Sequence, residues 1–149
     1  MNMTALKPVS LLLLRTGTGL LLMLWGGLRL MSPEAGPGLA EHYYSGFMGA
    51  AAIQTAYGAA EVLIGLLVVL GMFRRVVYPL QALVLVLGAL VLWRYLLDPM
   101  GVYLLSREDS QILFFPSITV AAATLVLLAF RNDDRLALDR LIFRDRDRT

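Results

Sequence analysis

The sequence predicts an all-α integral membrane protein, a bundle of four transmembrane helices, from three observations. Of the 149 residues, 58% are hydrophobic and 16% are charged, whereas a soluble domain carries roughly a quarter charged residues. Four apolar stretches approach or exceed the roughly 20 residues that a helix needs to cross a bilayer. No alternating pattern of a membrane barrel is present. Because backbone groups in lipid must be satisfied internally, these stretches are expected to be helices.

Helix-stopping residues separate the four predicted spans. The first span is followed by Ser32-Pro33 and a Gly/Pro loop, the second by Arg74-Arg75, and the third by Asp98-Pro99. Pro116 is expected to kink the fourth span. The predicted spans cover residues 9–31, 47–73, 77–97 and 112–130. The whole chain, 1–149, is therefore expected to form a single membrane domain with a short amphipathic tail at 133–149.

Basic residues predict the orientation of the chain. Lys7, Arg74-Arg75 and the six arginines from Arg131 onward all flank the same ends of the four spans. The loops after the first and third spans are instead acidic in balance. Because short cytoplasmic loops carry the excess of Lys and Arg, both termini are expected to be cytoplasmic. The predicted location is a bacterial-type inner (plasma) membrane, crossed several times, with the lipid bilayer as the first partner.

Composition excludes several kinds of chemistry. The absence of cysteine excludes a structural disulfide, a CxxC pair and a thiolate metal site. The single histidine, His42, excludes bis-histidine haem ligation within one chain. Its neighbours Glu41, Tyr43 and Tyr44 supply too few ligands, so no metal site is expected. Without a basic patch interleaved with aromatics, no nucleic-acid partner is expected either.

Glu61 is the most informative residue, because it is the single charge in the apolar stretch 47–73. A carboxylate at membrane depth is expensive and normally faces a protein interior with a partner. The expected partner is Arg15, which interrupts the first span. Two interpretations of Glu61 stay open: a structural pair or hydrogen-bonded carboxyl, and a functional group. Arg15 has its own alternative, which is to extend toward lipid phosphates.

Two helix faces combine small and polar residues at alternating spacings of four and three. The residues are Arg15, Gly19, Leu22, Gly26 and Arg29 on the first span and Gln54, Gly58, Glu61 and Gly65 on the second. Such spacings place side chains on one helix face, and glycines let two helices approach closely. The two faces are therefore expected to pack together, with the four glycines at the contact.

Six polar residues are expected to line the bundle interior or to bind a ligand. They are Glu61, Arg15, Gln54, Tyr57, Arg29 and Arg94. Arg29 and Arg94 lie near the outer end, where arginines more often anchor the helix at the interface. A link from either of them to Glu61 is expected to need a tilt, a water or a ligand. No catalytic residue is assigned from the sequence.

The tail contains a predicted short helix over residues 133–143. Asn132 or Asp133 is its expected cap, and leucines alternate with arginines along it. One hypothesis is a surface helix lying along the inner leaflet. The other is a docking site for a cytoplasmic partner.

The first half of the chain resembles DoxX-like membrane proteins. Leu-Leu-Leu-Leu-Arg15-Thr-Gly-Thr-Gly19, leading to Gly26-Gly27-Leu-Arg29-Leu, is similar to the first helix of that family. There an arginine opens the span, and a glycine followed by a basic residue, usually lysine, closes it. Glu61-Val-Leu-Ile-Gly65, leading to Leu70-Gly71 and Arg74-Arg75, resembles the second helix. The second half matches in span count alone.

The resemblance implies a four-helix inner-membrane bundle related to the small subunit type of thiosulfate:quinone oxidoreductases and to membrane partners of redox enzymes. The first functional hypothesis is an accessory subunit of a membrane redox system with a buried polar pocket for a quinone, and with no covalently bound cofactor. Its partner would be a redox enzyme subunit or a second copy of the chain. The second is a non-catalytic scaffold or assembly factor. The third, a small-solute transporter, ranks last because the chain shows no inverted repeat.

Overall fold

The computed structural model describes residues 3–32, 37–38, 41, 51–108 and 112–142, with the side chains of 3–5, 51 and 141 left aside. All regular secondary structure among these residues is helical, and turns and bends connect the helices. The elements are α1 (Met3–Met31), α2 (Ala51–Leu70), α3 (Arg74–Val91), α4 (Trp93–Leu97), a 3₁₀ turn (Ile112–Phe114), α5 (Ser117–Ala129) and α6 (Leu138–Ile142).

Four segments are long and apolar enough to cross a membrane, which confirms the predicted all-α class and the span count. They are Leu6–Met31, Ala52–Leu70, Arg74–Val91 and Ile112–Ala129. The first four residues of the predicted second span, 47–50, lie outside the described part. Side chains such as Leu13, Leu24 and Leu63 are more than half exposed on the outer faces of their helices. An apolar exterior of this kind suits lipid and not water.

The third and fourth spans differ from their predicted forms. The predicted helix 77–97 is divided at Leu92, a buried residue with φ −85° and ψ 17°, so that α3 ends at Val91 and α4 follows. The fourth span is a 3₁₀ turn followed by a helix that begins at Ser117, with Pro116 as its N-cap residue. Proline thus precedes a helix start, which suits its fixed φ and missing N–H, and does not kink a helix interior.

Helices α1 and α2 are antiparallel and touch through glycines. A Cβ atom placed on Gly19 would lie 2.8 Å from the carbonyl oxygen of Gly65, and one on Gly58 would lie 2.9 Å from that of Gly26. The two contacts are seven residues apart on each helix. The structure therefore places all four predicted glycines at one interface, where any larger residue would push the backbones apart.

A tight turn joins α2 to α3. Gly71 has φ 70°, which favours glycine, and Phe73 adopts φ 51°, an uncommon value for a bulky residue. The carboxylate of Asp139 accepts hydrogen bonds from the backbone N–H groups of Phe73 and Arg74, at 2.9 and 3.0 Å. Asp139 thereby caps the start of α3 from a distant part of the chain.

The predicted helix over 133–143 is wrong in its first half. Residues 131–137 form turns, and within the described part α6 covers Leu138–Ile142. Asp134 and Ala137 are fully buried against the bundle, and Lys7 bonds Asp133 at 2.7 Å. Tertiary partners therefore override the local helical pattern. We call the end of the bundle that holds Lys7 and residues 131–142 the terminal end, and the opposite end the loop end.

Candidate functional site

Glu61 forms an ion pair with Arg29, and the two side chains are 6% and 10% exposed. The Arg29 Nη1 to Glu61 Oε2 distance is 2.6 Å. Arg29 also donates from Nε to the side-chain oxygen of Gln54 at 3.0 Å, and its guanidinium lies 5.0 Å from the centre of the Tyr57 ring. The Tyr57 hydroxyl is hydrogen bonded to Glu61. Four of the six predicted polar residues therefore form one cluster between α1 and α2.

The predicted pair between Glu61 and Arg15 is wrong, and the glycine register explains why. Gly26 touches Gly58, and Arg29 and Glu61 each lie three residues after the glycine of their own helix. Gly19 touches Gly65, and Arg15 and Glu61 each lie four residues before the glycine of their own helix. At 1.5 Å per residue, the axial offset from Glu61 is about 9 Å for Arg29 and about 12 Å for Arg15.

Side-chain direction strengthens this choice of partner. Helical side chains lean toward the N-terminus of their own helix. Because α1 and α2 are antiparallel, Arg29 and Glu61 lean toward each other, whereas Arg15 leans away from Glu61 toward the terminal end. The two glycine pairs in the sequence contain the information needed to choose Arg29 as the partner. The sequence-based prediction used only the depth of each residue from the ends of its span, and it therefore chose Arg15.

Arg15 belongs to a second buried network at the terminal end. Its Nη1 lies 3.0 Å from Oδ2 of Asp134, and the Tyr78 hydroxyl donates to the same oxygen at 2.6 Å. Arg15 also donates to the carbonyl of Leu136. All three charged or phenolic side chains are fully buried. Sequence reasoning missed Asp134 and Tyr78, since nothing local distinguishes Asp134 from its neighbour Asp133.

A cavity of about 130 Å³ lies beside the Arg29–Glu61 pair. Its polar wall is formed by Arg29, Tyr57 and Glu61. Its apolar wall comes from the first, third and fourth spans and from Leu92 after the third: Leu21, Leu22, Trp25, Val84, Leu85, Gly88, Ala89, Leu92, Phe114 and Val120, with Ser117 beside them. A cavity of about 150 Å³ holds benzene in an engineered protein, so this volume suits one six-membered ring. Trp25, one of the lining residues, is 37% exposed, so this wall of the cavity reaches the outer surface of the bundle.

Two other predicted residues lie elsewhere. Arg94 is exposed, with its guanidinium 5.5 Å from the centre of the Trp93 ring, and it does not line the cavity. His42 lies outside the described residues. Among the residues that are described, no three His, Cys, Asp or Glu side chains are grouped as metal ligands.

Asp98 organises the loop end. It accepts hydrogen bonds from the backbone N–H groups of Val102, Tyr103, Leu104 and Leu105, at 2.6 to 3.1 Å. These donors, with Val102 having the largest effect, hold the pKa of Asp98 below its usual range. The sequence predicted Asp98 as a helix stop but did not reveal these four hydrogen bonds.

Comparison of the chain with protein-family models, with curated proteins and with solved structures gives no match. The class of this protein is therefore assigned from its fold and its site alone. Within its described residues, the chain is an all-helical protein with four helices long and apolar enough to cross a membrane, and it carries a polar cavity among them.

Proposed function

We propose that this protein is a DoxX-like accessory subunit of a membrane redox system, which holds a quinone-like molecule in the cavity beside Glu61. One observation carries the proposal. The cavity joins apolar walls from three spans to three convergent polar groups on the first and second spans, and this combination is typical of small-molecule sites. A membrane-soluble molecule with one polar ring matches both the volume of the cavity and its mixed polar and apolar lining.

The residues present fit such a headgroup. Arg29 and Tyr57 are donors suited to the carbonyl oxygens of an oxidised ring, and the Glu61 carboxylate is an acceptor suited to a hydroxyl of the reduced ring. Trp25 and Phe114 are aromatic neighbours against which a flat ring packs. The quinone supplies the redox chemistry when bound. The protein holds the ring, excludes water and offers Glu61 as a proton acceptor.

The proposed orientation places the terminal end in the cytoplasm of a bacterial-type cell. Lys7, Arg74, Arg75, Arg131 and Arg135 all lie at this end, which supports the assignment through the positive-inside rule. In intact cells, an impermeant thiol reagent should modify Ser106→Cys at the loop end and spare Arg135→Cys. The opposite labelling pattern would reverse the orientation.

Tryptophan fluorescence tests the pocket. Trp25 lines the cavity, whereas Trp93 does not. In Trp93→Phe, a short-chain quinone should therefore quench Trp25 saturably, and Glu61→Gln in the same background should weaken that binding. The matched control is Trp25→Phe, which leaves Trp93 as reporter and should show unsaturable quenching. Identical, unsaturable quenching in all three proteins would mean partitioning into detergent, and the quinone proposal would be abandoned.

A scaffold or assembly factor is the second candidate, and one observation favours it. Glu61 is paired with Arg29, and Arg15 with Asp134, so both ion pairs can fix helix register without any ligand. Purification in mild detergent separates the candidates. A scaffold should carry a stoichiometric protein partner and no lipophilic molecule, and a redox subunit should carry both. A second copy of the chain would appear as a dimer by mass.

A further inference from the structure

A third buried polar layer lies between the Glu61 cluster and the Arg15 network. It consists of Thr18 on α1, Gln81 on α3 and Thr124 on α5, all of which are almost fully buried. Polar side chains are costly inside an apolar bundle unless they have partners. Such a layer needs a physical reason.

Two groups of residues bound this layer and fix its level. Toward the terminal end the bounding residues are Leu11, Tyr78 and Leu127, which share one core cluster. Toward the loop end they are Leu22, Leu85 and Val120, which line the cavity. Thr18, Gln81 and Thr124 each lie between the two bounding residues of their own helix. The layer therefore separates the cavity from the terminal network.

Gln81 is the central residue of the layer. It is fully buried, and neither its amide oxygen nor its amide nitrogen has a hydrogen-bond partner among the described residues. At the adjoining level, Nε of Arg15 and Oδ1 of Asp134 are likewise buried without a described partner. Buried polar groups of this kind are commonly satisfied by ordered water.

The threonines offer further acceptors at the level of Gln81. The Thr18 hydroxyl donates to the carbonyl of Leu14 at 2.8 Å, and that of Thr124 donates to the carbonyl of Ala121 at 2.8 Å. Each hydroxyl oxygen therefore keeps acceptor capacity toward the interior. Along α1, Thr18 is about 4.5 Å from the level of Arg15 and, by the glycine register, about 7.5 Å from that of Glu61. One water spans the first gap and two waters in series span the second, with hydrogen bonds of about 2.8 Å.

We propose that Gln81, Thr18 and Thr124 hold buried water and form a proton relay between the terminal end of the bundle and the Glu61 cavity. The proton enters beside Asp134, passes through water oriented by the Gln81 amide, and ends on a carboxylate oxygen of Glu61. Each water accepts one proton and releases another, so one proton leaves the terminal end for each that reaches Glu61. No electron moves, and Gln81 itself is not protonated.

The surroundings of Glu61 make it the end of this path. Arg29 from α1 and Tyr57 from its own helix are the titratable groups that face it. The cavity residues on α3 and α5 and in the 3₁₀ turn carry no titratable side chain. A proton that reaches this level from the terminal end therefore has Glu61 as its acceptor.

Sided carbodiimide labelling tests the relay. Dicyclohexylcarbodiimide reaches carboxyl groups through lipid and modifies them when they are protonated. In sealed vesicles with the protein oriented one way, Glu61 labelling by mass spectrometry should rise when the terminal side alone is acidified. Gln81→Leu should lose this response, whereas Gln81→Glu, which still orients water, should keep it. The melting temperature of Gln81→Leu in detergent should stay close to that of the parent protein, which shows that the site remains folded.

A matched pair of threonine variants provides the control. Thr124→Val removes a buried hydroxyl from the relay and should weaken the response, whereas Thr119→Val changes an exposed threonine of the same helix and should not. Labelling of the parent protein that follows the opposite side would overturn the proposal. So would an unchanged response in Gln81→Leu, or no labelling of Glu61 with both sides acidic. The relay requires no quinone, so its failure is distinct from that of the proposed function.

Discussion

Arg29 and Glu61 form a 2.6 Å ion pair across two helices whose backbones touch at glycines on the same faces. The glycine contacts and the ion pair depend on each other. Close approach of α1 and α2 buries the pair, and the pair in turn fixes the register in which the glycines meet. The cavity beside it is therefore held by both packing and charge.

The first prediction concerns the partner of Glu61. Removing one member of a buried pair strands the other charge, so Glu61→Ala should lower the free energy of unfolding by about 3 to 5 kcal/mol. Glu61→Gln should cost less, because the amide keeps its shape and hydrogen bonding. Thermal and denaturant unfolding in detergent measure both changes.

A double-mutant cycle sharpens this prediction. Glu61→Gln should couple to Arg29→Gln and add independently to Arg15→Gln, since Arg15 belongs to a separate network. Coupling of Glu61 to Arg15 and not to Arg29 would show that the observed pairing is incorrect.

The second prediction uses two adjacent glycines. A methyl group on Gly26 would collide with the backbone of Gly58, whereas one on Gly27 meets nothing within 4 Å. Gly26→Ala should therefore destabilise by about 1 to 3 kcal/mol through overpacking. Gly27→Ala should be neutral or stabilise by up to about 1 kcal/mol through helix propensity. Equal melting temperatures for the two variants would contradict the proposed contact.

The third prediction concerns the hydroxyl of Tyr78. Tyr78→Phe removes a hydrogen bond to the charged Asp134, and such bonds contribute about 1.5 to 3 kcal/mol. The loss should appear as a lower melting temperature and as faster proteolytic cleavage of the peptide bond that follows Arg135. Tyr103→Phe, at a site that is 88% exposed, is the matched control and should change neither. If Tyr78→Phe were as stable as the control, the hydrogen bond from Tyr78 to Asp134 would not contribute to the stability of the core.

The fourth prediction is a pH effect at the loop end. The folded pKa of Asp98 is depressed, so its contribution to loop stability is fully present above its unfolded pKa, about 3.9, and is lost as pH falls through the folded value. The protection of the amides of Val102 to Leu105, relative to their intrinsic exchange rates, should therefore fall upon strong acidification. Asp98→Asn should show faster exchange already at neutral pH. Equal protection in both proteins at neutral pH would show that the hydrogen bonds to Asp98 do not stabilise this loop.

Much of the fold could be predicted from the sequence, because apolar length and helix-stopping residues act locally. The glycine spacing also located the α1–α2 contact. The pairing of Arg29 with Glu61 could have been derived from that contact together with the lean of helical side chains. It was missed because depth was counted from span ends, which are uncertain by a turn.

The terminal network could not be predicted in this way. Asp134 lies in a charged tail with a helical pattern, and its burial depends on meeting Arg15 and Tyr78, which are more than 50 residues away in sequence. Long-range partners of this kind override local propensity. The same applies to Asp139, which caps a helix that begins 65 residues earlier.

The central claim is that the cavity beside Glu61 binds a quinone-like ring, and photoaffinity labelling tests it most directly. A short-chain azidoquinone should crosslink to cavity residues such as Trp25, Tyr57 and Phe114, and an excess of the parent quinone should suppress the crosslinks. Glu61→Gln should reduce labelling at the same positions. Labels spread over lipid-facing residues such as Leu13 and Leu63, with no competition by the parent quinone, would contradict the account.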